Sequence, residues 1–309
     1  MARTSIFPTK VLQGLTMLIA LALIVSFAGC TNTASTTTLI STNSPSTSQF
    51  AGKEISIFAG SASKPALDEA AAAFEAQTGA TVYLTYGGSG SVLSQMELSK
   101  TGDIYIPGSP DFLVKAEKKM ITDPSTTKIV AYLIPAINVQ KGNPKNIQSL
   151  SDLAKPGITV GIGNPTTVCV GLYAIEILDN NHLLVDVYKN IVTQASSCDN
   201  TATLISLKSV DAVIGWSVFH DWDPENIDTI YLNPDQITRV AYIPAAISTF
   251  CKEKEVAAAF IDFLISASGQ EIFKKWGYDV TETGARNYAP NAIIGGEYQL
   301  PESYNSLVK

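Results

Sequence analysis

Two turns rich in glycine and serine carry the clearest chemistry in this chain. They are Phe58-Ala59-Gly60-Ser61-Ala62-Ser63 and Tyr86-Gly87-Gly88-Ser89-Gly90-Ser91. Each falls between a predicted strand and a predicted helix. Hydroxyls and bare backbone N–H groups gather at such a helix start and hold an anion without any cation. Two turns close together predict one shared anion site, against the plainer reading of ordinary capping serines. Neither turn ends in Gly-Lys-Ser/Thr, which excludes a nucleotide phosphate loop. A serine hydrolase built on Ser89 meets Ser91 where a nucleophile elbow requires glycine. Its base would have to be His182 or His220. His182 follows Asn180-Asn181 at a predicted helix end and reads as a surface cap. His220-Asp221-Trp222-Asp223 reads as a solvated turn and not as a metal cluster. The four cysteines, Cys30, Cys169, Cys198 and Cys251, form no CxxC or His/Cys cluster, so no zinc site is expected.

The elements that must position these turns alternate between strand and helix. Ile55 to Ala59 predicts a strand and Pro65 to Gln77 a helix with Leu67, Ala70, Ala71 and Phe74 on one face. Thr81 to Tyr86 is β-branched and aromatic, hence a strand, and Val92 to Lys100 a helix. Asp103 to Ile106 and Phe112 to Met120 repeat the pattern, which implies a mostly parallel sheet covered on both faces. A second α/β set follows: strands at Ile158 to Ile162 and Ala212 to Trp216, helices at Gly171 to Asp179 and Thr201 to Lys208. Two long extended runs, Ile129 to Val139 and Val240 to Ser248, read as a double crossover between two lobes. Helices at Glu255 to Ile265 and Gly269 to Trp276 then complete the first lobe. Ligands of open α/β sheets bind at the carboxyl ends of strands. Both Gly/Ser turns, Gly163-Asn164-Pro165 and Trp216-Ser217 would converge there on one cleft.

The N-terminus has the form of an export signal. Arg3 and Lys10 precede an apolar run from Val11 to Phe27, and Phe27-Ala28-Gly29-Cys30 resembles a lipobox. Residues 1–29 are therefore expected to be a lipoprotein signal peptide, with Cys30 lipidated and the chain tethered to the outer face of a membrane. Residues 30–52 are rich in Thr, Ser, Asn and Pro and read as a flexible tether. The net charge of −7 is a poor match for nucleic acid. Anion binding then has to come from local dipoles.

Four segments carry a resemblance: IFAGSASKPALDEAAAAFE, YGGSGSVLSQMELSKTGDIYIPGS, GNPTTVCVGLYAIEIL and AAAFIDFLISASGQEIFKKWGY. In this order and spacing the chain resembles the solute-binding proteins of ABC importers, and more narrowly the molybdate-binding family. The resemblance implies a two-lobed α/β protein of the type II periplasmic-binding fold, with lobes joined by two crossover strands. Residues 53–134 plus 245–309 would form the first lobe and 135–244 the second. It implies a non-catalytic, monomeric receptor for molybdate or tungstate, with no cofactor, that serves a membrane permease and its ATPase. Ser61 (with Ser63 as the register alternative) and Ser89 match the ligand serines. Val170 and Thr201 match backbone N–H donors. Trp216 stands where the family usually has a tyrosine, and offers an indole N–H instead. Val168 falls where a tungstate/molybdate subgroup has a ligating acid and cannot coordinate. The anion is therefore expected to stay tetrahedral, held by hydrogen bonds alone. A donor-only pocket suits a fully deprotonated dianion, whereas phosphate keeps a proton and needs an acceptor. Sulfate and phosphate remain alternative solutes. Cys169 and Cys198 flank proposed donors and are expected to form a disulfide, against the alternative of two buried thiols. Cys251 is expected in the core.

Overall fold

Parallel pairing brings the two Gly/Ser turns together. A computed structural model describes residues 49–308; the signal segment, Cys30 and most of the predicted tether lie outside the described residues. The strands are β1 (Glu54–Gly60), β2 (Thr81–Gly87), β3 (Ile104–Ile106), β4 (Lys128–Leu133), β5 (Pro135–Gln140), β6 (Val160–Gly163), β7 (Ile191–Ala195), β8 (Ala212–Trp216), β9 (Ile227–Tyr231), β10 (Arg239–Ile247) and β11 (Ile293–Ile294). They form two sheets, ordered β11-β10-β3-β1-β2 with β4 on β10, and β7-β6-β8-β5-β9. In the first sheet Gly60 pairs with Gly87 and Ala59 with Ile106. Three strand ends thus release their loops side by side. In the second sheet Gly163 pairs with Ala195, so the loops after β6 and β7 also emerge together.

Helices cover both sheets because their apolar faces have no other place to go. Leu67, Ala70, Ala71 and Phe74 of the helix Lys64–Thr78 are buried as their spacing predicts. Gly171 of the helix Cys169–Asn180 is a case of close approach: a Cβ there would overlap the carbonyl oxygen of Gly163. Only glycine lets that helix start directly on the end of β6.

The predicted extended run 129–139 is two strands that part at Ile134. β4 stays with the first sheet by antiparallel pairing to β10, while β5 enters the second between β8 and β9. β10 returns the chain as one strand with an irregularity at Ile243/Pro244. Pro244 lacks the N–H a regular ladder needs at that point. The first apolar core holds the buried residues of sheet one, including Phe260 and Phe273 from the C-terminal helices. It also takes in Val168, Cys169, Val170, Tyr173, Cys198 and Trp216 from the second. The last segment is shared between the sheets: its strand β11 pairs with β10 of the first, while residues on either side of it pack on the second. Ala285, Ala289, Ala292 and Tyr304 belong to the core of the second sheet, beside Ile175, Leu184 and Val187. The tail covers apolar surface that sheet two leaves open around Tyr188 and Ile191, and Tyr304 packs edge-on to Tyr188 at 6.1 Å.

Candidate anion site

Ser61 and Ser89 are both buried, each on a helical turn that follows its strand. Each hydroxyl accepts a backbone hydrogen bond. Asp199 N–H donates to Ser61 Oγ at 3.1 Å, and Gly108 N–H donates to Ser89 Oγ at 3.0 Å. An oxygen that accepts in this way keeps its own proton for a third partner. Two buried tyrosines brace the turns: Tyr105 Oη donates to Ser89 O at 2.8 Å and Tyr278 Oη to Ala62 O at 2.6 Å. The space is tight, since a Cβ at Gly60 would come within 2.5 Å of Ser89 Oγ. Ser63, the register alternative, turns back on its own loop, with its hydroxyl 3.3 Å from Gly60 O.

The loops of the second sheet close directly on these turns. Gly90 N–H donates to Thr167 O at 2.8 Å, and a Cβ at Gly88 would meet Ser196 O and Thr167 O at 2.8 Å. Val170 lies buried in the first turn of the helix Cys169–Asn180, and its N–H is directed to the sulfur of Cys198. Thr201 is buried in the helix Cys198–Ser206. Its N–H is spent on Ser197 O at 3.0 Å, so at this helix start the N–H that reaches the site is that of Asp199. Helix geometry explains the shift, because the first four N–H groups from the N-cap Ser197 have no i−4 partner within the helix, and Thr201 is the fifth. Trp216 is buried with its indole edge-on to Tyr173 at 5.2 Å. Its Nε1 has no nitrogen or oxygen partner and faces the Cys198 sulfur.

Cys169 and Cys198 are thiols in this structure, with sulfurs 3.3 Å apart. The expected disulfide is not formed, since a bond needs about 2.05 Å. Burial, followed by the neighbouring Cys169, pushes the Cys198 thiol well above its ordinary range; Val170 N–H and the indole oppose this. Cys251 is buried as expected.

A cavity of about 300 Å³ opens between the loops, lined by Tyr86, Gly87, Gly88, Ser91, Ser196, Ser197, Asp199 and Asn200. Asp199 puts a carboxylate in its wall, which the donor-only expectation did not include. One of its oxygens accepts from Ser197 Oγ. The histidines take no part in a hydrolytic arrangement: His220 Nδ1 is 2.7 Å from Ile227 O, and His182 is exposed in a left-handed turn at φ 59°.

Comparison with known proteins bears on the family and the fold. The sequence profile of the bacterial extracellular solute-binding proteins matches residues 55–279. A sulfate-binding protein of Synechococcus elongatus is 23% identical over 234 residues, covering 67% of this chain and 66% of that protein, just under two thirds of its length. The periplasmic molybdate-binding protein of Azotobacter vinelandii superposes with a TM-score of 0.65 at 18% identity, over 74% of this chain and all of that one (100%). A sulfate-binding protein of Mycobacterium tuberculosis gives 0.66 at 18% identity, over 79% and 93% of the two chains. At such identities the likeness establishes the shared two-lobed α/β fold.

Proposed function

The chain belongs to the family of bacterial extracellular solute-binding proteins, and from that premise we propose that it is the oxyanion receptor of an ABC importer, taking molybdate or tungstate between its two sheets. The family gives it an extracytoplasmic place and a role in solute capture and not in catalysis. The observation that carries the oxyanion reading is the paired use of Ser61 and Ser89. Two hydroxyls on neighbouring turns are each fixed by a backbone N–H and left with a proton to give. Ser61 meets a helix start of the other sheet through the Asp199 N–H, while Val170 N–H and the Trp216 indole of that sheet, turned to the Cys198 sulfur, are the further donors this reading calls on. On opening, the Ser61 hydroxyl and the Asp199 N–H, now turned on one another across the sheets, become free for the anion. Charge-assisted hydrogen bonds contribute roughly 1.5–3 kcal/mol each. About five of them sum to roughly 7.5–15 kcal/mol before ordering costs, the scale that binding in the micromolar range (about −8 kcal/mol) draws on. Because donors come from both sheets, the anion binds fully only to the closed form, which the permease and ATPase then receive. Cys30 would carry the lipid anchor, and the receptor acts as a monomer.

Asp199 supports a second reading. A carboxylate in the cavity wall accepts the proton that phosphate or a phosphate monoester retains, as molybdate does not. Titration calorimetry of the chain from Gln49 onward with molybdate, tungstate, sulfate and phosphate at one ionic strength separates the two. Tight one-to-one binding of molybdate and tungstate alone is the expected result. A preference for phosphate that Asp199→Asn removes establishes the second reading, and no binding of any of the four refutes both.

A further inference from the structure

The two buried thiols lie where the sheets close. Cys169 and Cys198 each begin a helix of the second sheet, yet both sit in the apolar core of the first. Gly108, on the loop after β3, presses on Cys169 so closely that a Cβ there would be 2.5 Å from its sulfur. Tyr105 and Tyr278, both fully buried and bonded to the Ser89 and Ala62 carbonyls of the first sheet's turns, lie near the same pair. Separating the sheets therefore uncovers the thiols. The groups that favour a Cys198 thiolate, Val170 N–H and the Trp216 indole, belong to the second sheet and stay with Cys198. Gly108, which covers Cys169, belongs to the sheet that leaves.

We propose that Cys169 and Cys198 are a reversible modification site, a dithiol that low-molecular-weight disulfides oxidise in the open cleft and that closure protects. Opening frees Cys198 as the attacking thiolate. It attacks one sulfur of a small disulfide RSSR, forms a mixed disulfide and expels RS⁻, which takes a proton. Cys169, 3.3 Å away, loses its proton and displaces the second RS⁻. The products are one Cys169–Cys198 bond and two RSH; the cysteines are oxidised and the small disulfide is reduced. An extracytoplasmic position exposes the pair to such oxidants. Cys251 lies elsewhere in the core, 8% exposed and beside Asp103, and serves as an internal reference.

The test is differential alkylation of the full chain, read cysteine by cysteine by mass spectrometry during exposure to oxidised glutathione. It is run with and without sodium molybdate, and on Gly108→Ala. The molybdate arm rests on the function proposed above; the Gly108→Ala arm does not. Molybdate at a concentration that saturates calorimetric binding is expected to slow loss of both thiols at least tenfold and leave Cys251 unchanged. Gly108→Ala, whose methyl wedges against Cys169, is expected to speed it at least fivefold with no anion present. A Cys169–Cys198 crosslinked peptide that dithiothreitol reverses is the expected product. If molybdate does not bind but Gly108→Ala reacts faster, the solute assignment fails and the gated dithiol stands. The proposal is overturned if bound molybdate gives no protection, if Gly108→Ala reacts at the parent rate, or if the cysteines end as separate glutathione adducts.

Discussion

Ser61 and Ser89 work by one device, an oxygen pinned by a backbone N–H and a proton left to donate. Ser61→Ala with Ser89→Ala is expected to weaken oxyanion binding at least tenfold in calorimetry, and an unchanged affinity would refute the site. The double variant should also lose stability, because the N–H groups of Asp199 and Gly108 would be left without acceptors, at about 1–3 kcal/mol for each buried donor. Trp216→Phe separates the two effects. It keeps a ring against Tyr173 and orphans no buried donor, so the stability loss should be only that of a small void, on the order of 1–2 kcal/mol, while the affinity falls several-fold. The serines were legible in the sequence because each lies in a turn whose composition announces a helix start. Asp199 was not: its tie to Ser61 spans 138 residues and arises only when the sheets meet. Tyr105 and Tyr278 were hidden for the same reason, since nothing local marks a strand tyrosine or a loop tyrosine as the brace of a distant carbonyl.

At the scale of elements, helix starts decide how the site is built. Gly171→Ala would push the helix Cys169–Asn180 off the end of β6, because its methyl overlaps the Gly163 carbonyl. The expected loss is at the upper end of the roughly 1–3 kcal/mol typical of overpacking, seen in denaturant unfolding, with anion affinity falling as Val170 moves. A different start governs acid stability. Asp152 pairs with Lys155 at 2.6 Å and accepts the N–H groups of Gln148 at 2.7 Å and Ser149 at 2.9 Å. Lys155 first, then the Gln148 N–H, hold its carboxyl at about 2. A depressed carboxyl stabilises the fold above its unfolded value of about 3.9 and loses that contribution as pH falls toward 2. Asp152→Asn should therefore be less stable than the parent at pH 6 and indistinguishable from it near pH 2; a difference constant across that range would exclude the ionised cap. The long helices and the crossover were readable from apolar spacing. β7 and β9 were not, since Ile191–Ala195 and Ile227–Tyr231 are short, mixed in polarity and only partly buried. Their strand character comes from the neighbours they pair with.

For the whole molecule, one buried guanidinium joins the parts that must move. Arg239 stands at the start of β10, where the chain returns from the second sheet, and is 6% exposed. It pairs with Asp111 of the first sheet's helix Pro110–Lys118 at 3.0 Å and with Glu176 of the second sheet's helix Cys169–Asn180 at 2.6 Å, and lies 4.4 Å over the Tyr173 ring. The tail joins in through Tyr298 N–H, which donates to Asp111 at 2.9 Å. A charged centre of this kind sits at the crossover and ties both sheets and the tail to one point. Its cost is visible at Glu176, whose carboxyl burial raises despite the opposing guanidinium. Arg239→Met would leave two carboxylates buried with no cation, a loss of about 3–5 kcal/mol at neutral pH. That corresponds to a fall of ~10 °C in melting temperature for a chain of this size. Without the guanidinium the Glu176 carboxyl rises further. A raised carboxyl stabilises the fold while it is protonated and loses that contribution as pH climbs through its folded value. The deficit of Arg239→Met should accordingly shrink from pH 7 to pH 4.5, and adding Glu176→Gln should recover part of it at pH 7. Melting curves of the parent, single and double variants at the two pH values decide the matter. A gap that is the same at both would mean that lost packing against Tyr173, and not unpaired charge, is what Arg239 prevents.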